Sequence, residues 1–389
     1  DHRDLHRLIR RQRQMCIRDS YNIPLTLKFE GRKSDKMSEK LEEVGERGLI
    51  ERIRERFKEK VPFLEAGAGA DDCAVVDFDA LKGACLTEVK GKEAGKGKAR
   101  EACKMLVTTD MLLKSSHFPE GITPFQMGWS VVAVNLSDIA AMGARPLLLT
   151  VAIGLPEGTE ISFFDEILRG ISACCEKYQT VVVGGDIVKS AEMTFSGTCI
   201  GFATHPLRRK GAKVGDFVCV TGTLGDAALG MKVVRGEINL PAPLASYAKR
   251  ALFQPEPRVR EGLLIASSGY ATAMIDISDG LAISLAELAA QNGVGFEIWE
   301  ESVPVSEALK ACEISKSERR ELVFHFGGDY ELLFTADASI LEDNKTLEML
   351  KSEAEMSIIG RVVPKERGIY VKSERGKKEQ IALRGYQHF

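Results

Sequence analysis

The sequence predicts a two-domain protein of α/β (α+β) class. Three observations carry this. Strand-length apolar runs alternate with stretches of helical periodicity in both halves of the chain. At 389 residues the chain exceeds a single domain of roughly 100–200 residues. Between 204 and 215, His205-Pro206 and the basic Arg208-Arg209-Lys210 precede Gly211 and Gly215, a composition suited to a connection. The expected units are a basic tail (1–36), an N-terminal domain (37–205) and a C-terminal α/β domain (206–389). The tail holds ten basic and five acidic residues. It reads as non-native or disordered, with the native start at Met37.

The elements follow in order. Ser38 caps a helix in which Leu41, Val44, Leu49, Ile50, Ile53 and Phe57 recur near helical spacing. Strands are expected at Cys73–Phe78 and Met105–Thr109. The Gly- and Lys-rich residues 82–104 between them lack apolar periodicity and read as a surface insertion. Its GKGK run, Gly95 to Lys98, lacks the pattern of a phosphate loop. Phe125 to Met142 reads as a helix stopped by Gly143, then come strand Leu147–Ile153, helix Phe163–Tyr178, and strands Val181–Val183 and Met193–Phe202. The second half offers strand Phe217–Val220, helix Ala227–Val234, strand Ala273–Asp276 and helix Gly280–Gln291, closed by Gly293.

Composition excludes several function classes. With 44% hydrophobic and 28% charged residues, the chain can bury a core and is not disordered throughout. A net charge of −3 argues against a nucleic-acid binder. No apolar run has the length of a membrane-spanning helix. Nine cysteines without a C-x-x-C pair suit a reduced, cytoplasmic protein better than a disulfide framework. No nucleophile elbow, protein-kinase signature or dinucleotide fingerprint is present.

The chemistry lies in five segments that share one grammar, an apolar run followed by small or hydroxyl residues and then Asp. They are GAGADDCAV (Gly67–Val75), LVTTD (Leu106–Asp110), VNLSDIAAMGA (Val134–Ala144), VVVGGD (Val181–Asp186) and MIDISDG (Met274–Gly280). A strand end points amides and a short carboxylate at one place, and glycine admits a bulky anion. Each segment taken alone reads equally well as a cap or a turn. Asn135 and Asp138 stand three apart and share a helix face. If Asp72, Asp110, Asp138, Asp276 and Asp279 converge, each pair about 4 Å apart repels by roughly 4 kcal/mol at an effective dielectric near 20. With few basic residues nearby, a divalent cation is the cheapest counter-charge, and oxygen-only ligands select Mg2+.

TTDMLLKSSHF, AVNLSDIAAMGA, VVGGD, GAKVGDFVCVTGTLGDAALG, IDISDGL and GGDYELLF, in this order, resemble the thiamine-monophosphate kinases, from about Gly48 to Phe389. NLSD with IDISDGL marks the wider aminoimidazole ribonucleotide synthetase-like superfamily of ATP enzymes. The resemblance implies phosphorylation of thiamine monophosphate by ATP, giving thiamine diphosphate. It also implies a cytoplasmic homodimer whose N-terminal ATP- and Mg2+-binding domains pair their sheets. Other superfamily ATP enzymes, or a silent Mg-nucleotide sensor, are the alternatives. By the same resemblance the magnesium ligands are Asp72, Thr108, Thr109, Asp110, Asp138, Asp186, Asp276 and Asp279, with Asp110, Asp138 and Asp279 catalytic. Gly185, Asp186, Arg209, Ser278 and Tyr178 contact nucleotide, and His117 meets the substrate. Arg209 reads also as a solvated hinge residue, Ser278 as an ordinary N-cap, His117 as a loop histidine, and the turn Thr221–Asp226 as phosphate cradle or structural turn. Two positions depart from the family pattern. Gly328 stands where the family has a substrate-contacting glutamate, with Asp329 and Glu331 as substitutes. Leu383 stands where it has a ring-stacking tryptophan, for which Tyr386 compensates.

Overall fold

A six-stranded sheet and a seven-stranded sheet account for the two halves. The structure, a computed structural model, describes residues 64–66, 71–77, 80 and 104–386. The helix expected from Ser38, the basic tail and most of the 82–104 insertion lie outside the described residues.

The first sheet contains β1 (Leu64–Ala66), β2 (Ala74–Asp77), β3 (Lys104–Leu113), β4 (Arg145–Leu155), β5 (Val181–Lys189) and β6 (Thr194–Ala203), in the spatial order β1-β2-β3-β6-β4-β5. Among the described strands of this sheet only β4 and β5 pair in parallel. A parallel pair needs a crossover, which helix α2 (Ile161–Tyr178) supplies. Strands ran longer than their apolar cores suggested. Pro146 argues against a strand interior, yet β4 begins at Arg145, and the ladder with β6 shifts register between Pro146 and Leu148. Likewise β5 continues through Gly184-Gly185-Asp186 to Lys189.

Helix α1 (Pro124–Ala141) is the shared element of the molecule. Thr123 and Gln126 close a capping box at its start, and Pro124 occupies the first turn where a missing N–H costs nothing. Fourteen of its eighteen residues are buried, because it packs on β3 and β6, on α2, and on elements of the second half. Its crossing with α2 depends on two glycines. A Cβ on Gly128 would stand 2.0 Å from the Ile167 carbonyl oxygen, and one on Gly170 would stand 1.9 Å from that of Phe125. Trp129 Nε1 donates to the Pro255 carbonyl at 2.7 Å, tying α1 to the second half.

The second sheet runs β13-β12-β9-β11-β7-β10-β8. Its strands are β7 (Phe217–Val220), β8 (Ala271–Asp276), β9 (Val294–Trp299), β10 (Leu332–Ala336), β11 (Ser357–Pro364), β12 (Ile369–Lys372) and β13 (Lys378–Gln380). Central strands β7 and β10 are buried at every position. Helices α3 (Asp226–Val234), α4 (Ala242–Phe253), α5 (Val259–Ser267) and α6 (Leu281–Asn292) accompany the sheet, together with others that include Lys316–His325 and Asn344–Glu353. Gly293 ends α6 with a left-handed backbone, φ +65°, as a C-terminal glycine should.

Candidate active site

Three carboxylates from distant parts of the chain meet where β8 packs on α1. Asp72 precedes β2, Asp138 lies near the end of α1, and Asp276 ends β8; each offers an oxygen within 4.8 Å of the others. At that separation each ionised pair would repel by roughly 3 kcal/mol at an effective dielectric near 20. Hydroxyl donors come from neighbouring elements. Thr108 donates to Asp138, and Ser137 donates to Asp276 across 2.7 Å, linking α1 to β8. Strand alternation puts Asp110 on the same face of β3 as Thr108. Burial foremost, and then the Asp72 charge, raise the Asp110 carboxyl to about 6. The same two causes raise Asp276 to about 8. Burial, then Asp110, Asp276 and Asp72, push Asp138 well above the usual carboxylate range.

Asp138 and Asp276 of the cluster, with Asp110, line a cavity of about 940 Å³. Ser278 and Asp279, in the turn after β8, line it beside Asp110 and Asp138. His117 and Tyr386 also line it, with ring centroids 6.5 Å apart and planes inclined by 57°, and the Tyr386 amide donates to the Asp279 carbonyl at 3.1 Å. His117 closes a single helical turn, Lys114–His117, and its Nδ1 accepts from the Leu113 amide at 3.2 Å. In the neutral ring the proton therefore sits on Nε2. The cap of α6 is Gly280, without a side-chain cap bond, so Ser278 is not an ordinary N-cap.

Other expected site residues fall elsewhere. Thr109 lies on the opposite face of β3 from Thr108 and donates to the Gly197 carbonyl at 2.7 Å. A strand has a side-chain period of two, so adjacent threonines cannot both face the cluster. Gly185 and Asp186 lie on the outermost strand β5, three strand spacings or roughly 14 Å from Asp110 along the sheet. Within one chain they do not join the three carboxylates. A Cβ at Gly185 would stand 2.0 Å from the Val151 carbonyl oxygen, so the sheet itself requires glycine there. Tyr178 ends α2 and packs edge-on against Trp129, outside the cavity lining.

Arg209 and Asp329 have structural partners. Arg209 grips Asp72 with Nε and Nη2 at 3.0 and 2.7 Å and reaches Glu287 at 2.7 Å. It supplies the cluster with one fixed positive charge, which the reading of few nearby basic residues did not foresee. Asp329 is turned away from the cavity; it accepts from the Gly225 and Ala227 amides at 2.7 and 3.0 Å. Its carboxyl is raised to about 7, mainly by burial. Glu331 is held by Arg258 and Thr221. The substitutes for the family glutamate at Gly328 are therefore anchors of the second sheet. The turn Thr221–Asp226 is structural too, since Thr221, Thr223 and the Gly225 amide are engaged internally.

Sequence reasoning missed Ser137 and Tyr330. Ser137 precedes Asp138 in NLSD and could have been flagged as a hydroxyl beside a buried acid. Tyr330 lines the cavity from a left-handed backbone, φ +52°, which no spacing rule anticipates.

The donor set fits an oxygen-binding divalent cation. Asp72, Asp138 and Asp276 offer carboxylate oxygens only, and the raised Asp276 and Asp138 are what such a cluster shows when its charge is not neutralised. Among the described residues no nitrogen or sulfur ligand belongs to the group, which disfavours zinc.

Comparison with known proteins places this architecture. Residues 70–203 match the model of AIR synthase related protein, N-terminal domain, and residues 213–372 that of the corresponding C-terminal domain. A thiamine-monophosphate kinase of Methanospirillum hungatei is 45% identical over 60% of this chain and 75% of its own length. That of Aquifex aeolicus is 32% identical over 90% of this chain and all of its own. A solved structure, AaThiL complexed with AMPPCP and TMP, superimposes with a TM-score of 0.73 at 31% identity, covering 92% of this chain and all of that one. With both halves matched and two relatives above 30% identity, the chain belongs to the thiamine-monophosphate kinase family of AIR synthase related proteins.

Proposed function

We propose that this chain transfers the γ-phosphoryl group of ATP to thiamine monophosphate, giving thiamine diphosphate and ADP, in a Mg2+-dependent reaction. The observation that carries the reading is the meeting of Asp72, Asp138 and Asp276 beside a cavity that His117 and Tyr386 also line. The names of the relatives and the nucleotide-bearing neighbour support the same substrates.

The chemistry asks little of a base. The acceptor is a phosphate monoester, already mostly anionic at pH 7 because its second pKa is about 6. The barrier is the repulsion between two phosphate anions, so rate comes from charge neutralisation and in-line positioning. Bound Mg2+, held by Asp72, Asp138 and Asp276 with Asp110 and Asp279 beside them, would neutralise phosphate charge. Thr108 and Ser137 fix the orientations of Asp138 and Asp276. Arg209 orients Asp72 rather than gripping phosphate. His117, donating from Nε2, suits an acceptor phosphate, and Tyr386 offers the ring face for a cationic heterocycle.

We further propose a cytoplasmic homodimer. Every residue of β5 is exposed, including Val181, Val182, Val183, Ile187 and Val188. An apolar, unpaired edge of nine residues is an aggregation hazard unless another strand covers it. Pairing through this edge would also set Gly185 and Asp186 at a subunit boundary. All six described cysteines are free and buried, as suits a reducing compartment. No helix among the described residues is long and apolar enough to cross a membrane.

The test is substrate choice. With ATP and Mg2+, thiamine monophosphate is converted and thiamine is not; equal use of both would overturn the acceptor assignment.

A further inference from the structure

We propose that Tyr330 is a substrate-contacting residue whose phenol hydroxyl donates a hydrogen bond to a phosphate oxygen of the acceptor; the proposal rests on the phosphoryl-transfer reading above. Tyr330 is one of three non-glycine residues with positive φ among those described, at +52°. A residue with a Cβ pays for that conformation, and such strain persists where the surrounding structure enforces it. The enforcement is visible on both sides. Asp329 is anchored by the Gly225 and Ala227 amides. Glu331 is anchored by Arg258 at 2.7 Å and Thr221 at 2.6 Å.

Three backbone bonds then stitch the segment to the turn after β8. The Tyr330 amide donates to the Ile277 carbonyl at 3.0 Å, the Ile277 amide to that of Glu331 at 2.8 Å, and the Gly328 amide to that of Ser278 at 2.7 Å. Its two acidic neighbours are turned back into the second sheet, whereas Tyr330 lines the cavity alongside Gly327, Gly328, Ser278 and Asp279. Its ring packs against the core that α1 and β3 help to build.

The chemistry of the surroundings favours a phenol for this task. A phenol, with an ordinary pKa of about 10, is protonated at neutral pH, so its hydroxyl is a donor to phosphate. A lysine or arginine at this position would be captured by the carboxylates and would compete with a cation for them. A neutral donor reaches a phosphate oxygen without that competition.

The experiment compares the wild-type chain with Tyr330→Phe, which keeps the ring and removes only the hydroxyl. Binding of thiamine monophosphate and of thiamine is measured calorimetrically in the presence of Mg2+, together with kcat and KM. The expected result is a roughly 10- to 100-fold loss in kcat/KM and in thiamine monophosphate affinity, the worth of a hydrogen bond to a charged group. Thiamine affinity and thermal midpoint should hold steady. Wild-type kinetics in the variant would overturn the role of the hydroxyl, and so would an equal loss for both ligands, which would indicate disturbed packing instead. A wild-type chain that neither binds nor phosphorylates thiamine monophosphate would sink the functional reading and this inference with it.

Discussion

Replacing Asp276 by Asn should make the metal-free protein more stable and at the same time abolish its response to Mg2+. In the folded chain the Asp276 carboxyl is raised to about 8, by burial first and by Asp72 second. A carboxyl whose folded pKa lies above its unfolded one binds more protons in the folded state. Its stabilising contribution is therefore complete below about pH 4 and is lost as pH rises toward 8. At about 1.4 kcal/mol per unit, a displacement of four units amounts to roughly 5 kcal/mol of lost stability at pH 8. That is an upper bound, because Asp110 and Asp138 titrate together with it. Asn keeps the acceptor that Ser137 donates to and removes the charge. Urea denaturation with a chelator present should show wild type losing several kcal/mol between pH 5 and pH 8, and Asp276→Asn losing distinctly less. Millimolar Mg2+ should recover wild type at pH 8 and leave the variant unchanged. A variant less stable than wild type at pH 8 without metal, or stabilised by Mg2+ to the same extent, would refute the argument.

Two further outcomes follow from geometry. Asp329→Ala strands the Gly225 and Ala227 amides, so denaturation should show a loss of about 2–4 kcal/mol, while the KM for thiamine monophosphate stays at its wild-type value; a raised KM with unchanged stability would return Asp329 to the substrate site. Val183→Lys places a charge on the exposed β5 edge, and sedimentation should show a dimer at micromolar concentration reduced to monomer. A wild-type chain that sediments as a monomer would remove the dimer proposal.

Much of the layout was legible because periodicity is local. Helices α1, α2, α3 and α6 lie within two residues of their expected ends, since apolar spacing, glycine stops and caps are written in consecutive residues. Strand extents were less legible. β3 runs four residues past Thr109 because β6 pairs with it as far as Leu113, and a partner strand is not a local signal. The same limit explains the site. The expectation of aspartates at strand ends held for Asp276, and Asp138 lies on its expected helix, but Asp110 and Asp186 lie inside strands. Their convergence, or in the case of Asp186 its failure within one chain, depends on strand order. Asp329 looked as available as Asp279 in sequence. Only the position of the Gly225 and Ala227 amides decides that it turns away. Tyr330 left a faint trace, the Gly-Gly pair before it, which marks an unusual backbone without naming the residue that exploits it.

The pairing of Arg209 with Asp72 and Glu287 bears on how defects in this protein should be diagnosed. Asp72 lies just before β2 of the first sheet, Glu287 on a helix of the second half, and Arg209 in the connection between them. The anionic centre consequently exists only while both halves are seated on each other. A substitution far from the centre that loosens the seating would lower apparent cation affinity in proportion to the fraction of molecules still seated, long before either sheet melts. Weakened cofactor response in a distant variant would then be a gauge of interdomain closure and not evidence that the altered residue touches a ligand.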